Sequence, residues 1–260
     1  VCTVLLRFAP GTAWPLLLGA VRDEFADRAW DPPARHWGGP LTGGRDRVAG
    51  GTWLAVDPTA PAMAALLNGP LLPVPLDGFR PSRGDLPLSA LTRWPAAEQR
   101  PPDGADPPLP DGAELARYNG FHLLRAATDR VDVWSWDGAD LTHRGLDPGD
   151  HVIVNAGVDV DTPLVGRLRE RMAGLSTPDP RWGRSTRDAW DGWVDLLGGD
   201  GIDPGDPRAL LVWREYEGRV YRSGSACLVA LGADRVRFDF TAIDFTGAAA
   251  AGASWYEVPV

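Results

Sequence analysis

Lysine is absent from this 260-residue chain: all 26 basic residues are arginines, set against 35 Asp and Glu for a formal charge of −9. Arginines dispersed among a larger number of acids form no basic stripe, which excludes nucleic acid as an expected partner. The missing lysine, together with abundant Ala, Gly, Pro, Val and Asp, matches the codon bias of a GC-rich genome. Cysteine is nearly missing too. Cys2 and Cys227 are the only two, so no disulfide framework organises the fold, and a cytoplasmic setting disfavours a bridge between them. His36, His122, His143 and His151 show neither an i,i+4 pair nor a zinc-finger spacing, so no metal and no cofactor is expected.

Long hydrophobic runs are absent as well. No stretch reaches the roughly 18 apolar residues of a membrane span, and the apolar segment at 14–20 runs straight into Arg22-Asp23-Glu24. The amino end has no basic leader ahead of its apolar segment, so a signal peptide is not expected and the cytoplasm is the default compartment. Methionine occurs only at 63 and 172, and the chain starts with Val. The expectation is a valine-type start codon, at which Met would be made and then trimmed because a small residue such as Cys follows it.

What is present is ample apolar material, 44% of the chain, enough to bury a substantial core. Residues 2–8 and 14–20 read as a hairpin of two buried, central strands joined by Ala9-Pro10-Gly11-Thr12. Residues 31–44 read as a turn-rich surface segment, 45–56 as one strand with a glycine bulge, and 62–67 as a further apolar strand. A helix capped by Asp85 is predicted to carry Leu88, Leu91 and Trp94 on one side. Residues 98–112, rich in Pro and Gly, read as a loop insertion within a single domain spanning 1–260.

Strand patterns resume at 118–124, 131–136 and 151–155, with Asp137-Gly138 as a hairpin signal. Two helices follow. Thr162 caps the first, with Pro163 at its first position, Leu164, Leu168 and Met172 in register and Gly174 as stop. Ser185 and Asp188 open the second in capping-box spacing, with Trp190, Trp193, Val194 and Leu197 on one face. Strands are expected again at 209–213, 218–231, 235–243 and 255–258. Strands at both ends and helices between predict a layered α+β domain of two sheets with outer helices.

Cys2 is the residue with most chemical promise. A free cysteine in a strand is most often a small apolar packing residue. At a true amino terminus, however, Cys2 would carry a thiol and a free α-amine, a nucleophile and its own general base. Asp23 has a plain alternative as the ion-pair partner of Arg22 or Arg45, Asn68 and Asn155 as turn residues, and Arg222 as a partner for any carboxylate.

Several spaced motifs resemble the NRDE family, that of the Transport and Golgi organisation 2 proteins. They are Cys2-Thr3-Val4-Leu5-Leu6, Arg22-Asp23-Glu24, Gly43-Gly44-Arg45-Asp46 with Gly50-Gly51-Thr52-Trp53-Leu54-Ala55, Leu66-Leu67-Asn68 and Arg80-Pro81-Ser82-Arg83-Gly84. Tyr118-Asn119-Gly120-Phe121, Asn155 with Asp161-Thr162-Pro163, and Tyr221-Arg222-Ser223-Gly224-Ser225 extend the resemblance over nearly the whole chain. The family motif begins with asparagine, and Val21 stands there in this chain. The family in turn resembles amino-terminal-nucleophile hydrolases such as choloylglycine hydrolase and penicillin V acylase.

The resemblance implies a four-layer αββα sandwich. It also implies a hydrolase or acyltransferase in which Cys2 attacks an amide or acyl carbonyl of a small molecule and forms a thioester. Asp23 would hold the α-amine, Asn155 and Asn68 would line the oxyanion hole, and Arg222 would sit near the thiol, with Arg22 as a further candidate. The same resemblance implies an alternative, a non-catalytic binding protein of haem or lipid handling or of secretory organisation. Intact mass is the first check on the catalytic expectation: the mature protein should begin at Cys2, and a blocked or Val-bearing terminus counts against it.

Overall fold

Near-continuous apolar runs in the opening segments produce strands covered on both sides. In the computed structural model, which describes residues 3–73, 80–93, 109–246, 249–250 and 254–260, β1 (Thr3–Phe8) and β2 (Leu16–Phe25) form that hairpin. Then come β3 (Trp30–Ala34), β4 (Thr42–Asp46), β5 (Leu54–Asp57) and β6 (Ala62–Asn68). Helices α1 (Leu86–Thr92) and α2 (Gly112–Leu115) precede β7 (Phe121–Ala127), β8 (Val131–Trp136), β9 (Leu141–Gly145), β10 (Gly149–Val154) and β11 (Gly157–Val158). Next are α3 (Pro163–Ala173), α4 (Thr186–Trp190) and α5 (Gly192–Leu197). The chain closes with β12 (Trp213–Tyr216), β13 (Arg219–Leu231), β14 (Val236–Ala242), the short β15 (Phe245–Thr246) and β16 (Ala249–Ala250), and β17 (Tyr256–Glu257).

The first sheet runs β11-β10-β1-β2-β13-β14-β17, with β12 on β13; the second is a meander from β3 to β9 in chain order. Their inner faces share one core. Val4, Leu6 and Phe8 of β1 and Leu16, Leu18 and Ala20 of β2 pack with Leu54, Val56, Met63, Ala65, Leu67 and Leu124 of the second sheet. The opposite parity of the first sheet, Leu5, Leu17, Val21, Val152 and Leu228, packs under α3, α4 and α5. The outer parity of the second, Ala64, Leu66, Leu123 and Trp134, packs under α1 and α2. The result is the four-layer αββα sandwich that the resemblance implies. Among the described residues, no helix is long and apolar enough to cross a membrane.

Local chemistry accounts for the best-defined elements. Thr162 accepts the Val165 N–H at the start of α3 and Pro163 occupies its first turn. Its other end is held from the sheet: Arg7 donates to the Met172 and Leu175 carbonyls at 2.7 and 3.2 Å and forks onto Asp150 at 2.7 and 2.8 Å, satisfying acceptors that a helix terminus leaves open. Ser185 caps α4 through the Asp188 N–H. The predicted second helix is interrupted, because Asp191 adopts φ +46 between α4 and α5. The indoles of Trp190 and Trp193 are nevertheless fully buried in one cluster.

Elsewhere the structure departs from the sequence reading. Residues 31–44 are not all surface turn. They include β3, where Pro32 and Pro33 are tolerated because β3 is the edge of its sheet and its pairing with β4 is interrupted by a register shift between Asp31 and Ala34. Residues 45–56 form a hairpin and not one bulged strand. Asp46 accepts the N–H groups of Val48 and Ala49 at 2.9 Å each, and Gly50 turns the chain at φ +81. Asp85 precedes α1 but makes no side-chain cap, and Leu86, Pro87, Ala90 and Leu91 are its buried residues. Trp94 lies outside the described residues, as does most of the Pro-rich stretch. Gly112, expected to end that loop, instead begins α2, capped by Asp111. Of 209–213 only Trp213 is in a strand.

The helix layer is locked to the sheet by one buried network. Asp239, fully buried on β14, accepts from Thr186 Oγ1 (2.6 Å), Trp190 Nε1 (2.8 Å) and Arg237 Nε (2.7 Å), while Arg237 donates onward to the Arg181 and Arg184 carbonyls. Removing one partner of such a group strands the others, so Asp239→Ala should destabilise by about 3–5 kcal/mol in urea unfolding. A loss below about 1 kcal/mol would show that the network contributes no more than an exposed pair.

Candidate functional site

Polar chemistry gathers where β1 begins, because there the apolar alternation of three neighbouring strands stops together. Thr3 pairs with Val21 on one side and Val154 on the other. Just beyond those partners lie Arg22 and Asp23 on β2 and Asn155 in the tight turn between β10 and β11. A cavity of 330 Å³ opens at this point, lined among others by Thr3, Asp23, Asn155, Arg214, Tyr216 and Tyr221. A larger cavity of 660 Å³ on the helix layer, bounded by Arg187, Asp195 and Trp255, contains none of the expected site residues. The smaller one coincides with the convergence of strands.

Asp23 is oriented by a bulge. The β2–β13 register shifts between Ser223 and Ser225, so Ser223 stands opposite Asp23. Ser223, fully buried, donates from Oγ to Asp23 Oδ1 at 2.5 Å and accepts the Val212 N–H at 2.9 Å. Asp23 is thus held by a serine; Arg45 is taken by Asp31, at 2.6 Å.

Arg22 has the opposite parity and faces between the sheets. It is 5% exposed, and its guanidinium lies 4.5 Å from the Trp53 ring centre and 3.7 Å from both Glu24 and Asp46. The Trp53 ring can lie where it does because Gly44 beneath it has no side chain; a Cβ there would strike the indole. Asp46 resists protonation in this cluster. Burial opposes its charge, but the Arg28 guanidinium at 2.6 Å and the backbone N–H groups of Ala49 and Val48 hold its carboxyl below the usual carboxylate range.

A histidine reaches this end of the molecule from the other sheet. His122, 8% exposed on β7, shares the inward parity of Leu124 and Ala126 and stands opposite Ser135. Its Nδ1 lies 2.7 Å from Ser135 Oγ and its Nε2 lies 3.1 Å from the Asn155 carbonyl oxygen. Burial lowers its pKa, with the Asn155 contact partly offsetting the loss. A single histidine without metal-type spacing gives no sequence signal for this contact; only its place on the inward parity of a strand marks it.

Besides Arg22, two further expected residues lie apart from the cavity lining. Asn68 ends β6 in the second sheet, paired with Phe121, whose ring belongs to the outer cluster under α1. Arg222 donates from Nη1 to the Ile243 carbonyl at 2.6 Å and lies 5.8 Å from the Phe245 ring centre. Cys2 lies outside the described residues. Cys227 is buried in the inter-sheet core, and burial pushes its thiol up to about 12. Among the described residues no group of three or more His, Cys, Asp or Glu could hold a metal ion.

Fold and site together define a two-sheet sandwich with helices on both outer faces and a polar cavity at the start of its central strand. The chain belongs to the Transport and Golgi organisation 2 family, whose profile matches residues 1–187. Comparison with curated proteins finds no match. Among solved structures, it is similar to the Caenorhabditis elegans N-acylethanolamine-hydrolyzing acid amidase ortholog. The identity is 12% over 87% of this chain and 92% of that one, with a TM-score of 0.42.

Buried His122 also makes a testable contribution to acid stability. An unfolded histidine takes up its proton near pH 6.5, whereas the folded one does so only at a lower value, so the stabilisation is complete above about pH 6.5 and is lost as the pH falls through the folded value. Urea unfolding across that window should show stability falling with pH, and His122→Gln should flatten that part of the profile. Equal slopes in both proteins would remove His122 as the cause.

Proposed function

We propose that the protein is a cysteine amino-terminal-nucleophile enzyme that cleaves or transfers the acyl group of a small amide through a thioester at Cys2. The observation that carries this reading is the meeting of Asp23 and Asn155 at one cavity at the start of β1, with Arg22 on the opposite face of the same strand end. The ladders pair Thr3 with Val21 and with Val154. Cys2 is the residue before Thr3 in the chain, and Thr3, Asp23 and Asn155 line one cavity.

The chemistry of such a set is coherent. With Val1 absent, an α-amine of pKa about 8 sits beside a thiol of about 8.5, so proton transfer between them is nearly balanced. A neighbouring guanidinium favours the thiolate further. Arg22 is the arginine on the matching β2 position, whereas Arg222 is engaged with the Ile243 carbonyl. Asp23, anchored by Ser223, would accept a hydrogen bond from the α-amine and direct its lone pair toward sulfur.

Attack by the thiolate forms the S–C bond and places negative charge on the carbonyl oxygen, to which the Asn155 side-chain N–H would donate. Collapse breaks the C–N bond, and the α-ammonium returns the thiol proton to the departing amine. Water activated by the same amine then cleaves the thioester and releases the acid; an acceptor amine in place of water gives acyl transfer. Asn68, on the other sheet, is proposed only as a more distant wall of this site.

The test combines labelling and turnover. A thiol-acylating probe should modify Cys2 in the native protein while Cys227 stays silent until unfolding, because its thiol is buried and shifted to about 12. Against a panel of acyl amides and lactams, Cys2→Ala should abolish turnover, and Asn155→Ala should lower it by about 100- to 1000-fold through loss of one oxyanion donor. Equal background from wild type, Cys2→Ala and Cys2→Ser would end the enzymatic reading.

A further inference from the structure

Asn155 occupies a turn, and a turn by itself is a poor place to hold a group that must meet a reacting oxygen within a few tenths of an ångström. The side chain can be no better placed than the backbone that carries it. On its own sheet, Asn155 lies past the last β10 residue, Val154, and before the two-residue strand β11, with Gly157 at φ +131 completing the reversal. One further restraint on its backbone comes from the opposite sheet.

A carbonyl oxygen can only accept a hydrogen bond, so the 3.1 Å contact between His122 Nε2 and the Asn155 oxygen requires the proton on Nε2. The other ring nitrogen is then a bare acceptor in the neutral imidazole, and the Ser135 hydroxyl at 2.7 Å donates to it. Ser135 and His122 are direct cross-strand partners on β8 and β7, so the ladder itself fixes their separation. Burial of the ring, which lowers its pKa, favours this neutral form. The chain of donors therefore runs in one direction, from Ser135 to His122 to Asn155.

We propose that His122 is a positioning residue of the candidate site: the Asn155 carbonyl calls for its Nε2–H, Ser135 holds the other ring nitrogen, and the ring so held fixes from the far sheet the turn that presents the Asn155 amide. This rests on the reading of Asn155 as the oxyanion donor, and it gives the site a dependence on the spacing of the two sheets. Loss of the contact frees the turn without touching the nucleophile. Its signature is a fall in the acylation rate with substrate binding little changed.

The experiment compares His122→Met, which fills similar volume without a donor, with His122→Gln, whose amide nitrogen can reach the place of Nε2. Acylation of Cys2 should slow by about 10- to 100-fold in His122→Met with KM changed less than about threefold, and His122→Gln should recover most of the loss. The Asn155 side-chain amide resonance, read by NMR in the same proteins, should shift or broaden in His122→Met and return in His122→Gln. Should His122→Met not fold, Ser135→Ala serves: the ring then loses the hydroxyl that holds Nδ1, and the Asn155 side-chain amide resonance should shift or broaden. Methionine and glutamine variants equally impaired, or an unmoved Asn155 amide in His122→Met, or in Ser135→Ala where that replaces it, would overturn the proposal. If wild type shows no turnover, the enzymatic reading fails separately, while the Asn155 resonance still decides whether the positioning is real.

Discussion

A strand buried on both faces has no room for polar chemistry except at its ends. β1 meets this condition: Val4, Leu6 and Phe8 face the second sheet, and Leu5 faces the helix layer. β2, its partner, is apolar on both parities as far as Val21 and then turns polar at Arg22 and Asp23. Because the two strands are antiparallel neighbours, the polar end of one meets the beginning of the other. The cavity, the carboxylate held by Ser223 and the Asn155 turn all depend on this alignment, and the αββα layering is what keeps both faces dry.

Several of the less exposed charges in this protein connect layers. Arg7 joins β1 to the carboxyl end of α3, and Arg237 with Asp239 joins β14 to the segment leading into α4. Arg28 and Asp46 tie the end of β2 to β4. In each case the planar guanidinium spans several acceptors at once, which an ammonium on a flexible stem does less well. A chain without lysine therefore has a ready supply of multidentate links, and its negative balance lies largely on the surface.

Elements governed by neighbours in sequence were legible. The β1–β2 hairpin, the Thr162-Pro163 start of α3 and the Ser185 cap of α4 each follow from residues within a few positions, and each is present. β3 was not legible, because Pro32-Pro33 reads as a break until one knows that the strand lies at a sheet edge. The kink at Asp191 was equally hidden, since the tryptophans on both sides keep helical spacing while packing into one cluster. The candidate site divides along the same line. Asp23 and Asn155 meet at one cavity, whereas Asn68 and Arg222 are drawn to other surroundings by strand parity and by the Ile243 carbonyl. Ser223 and His122 carried no signal of their own.

The sequence by itself determined a layered α+β domain of two sheets with outer helices, the buried opening hairpin and the residue types available for chemistry, because periodicity and caps are short-range properties; the four-layer order was implied by the family resemblance. Only the tertiary structure decided which of those residues meet. The bulge at Gly224 turns Ser223 toward Asp23 across about 200 positions of chain, and the stacking of the sheets brings His122 to the Asn155 carbonyl. Such contacts depend on register and on the distance between sheets, which are settled by the packing of the whole core and not by any local run of residues.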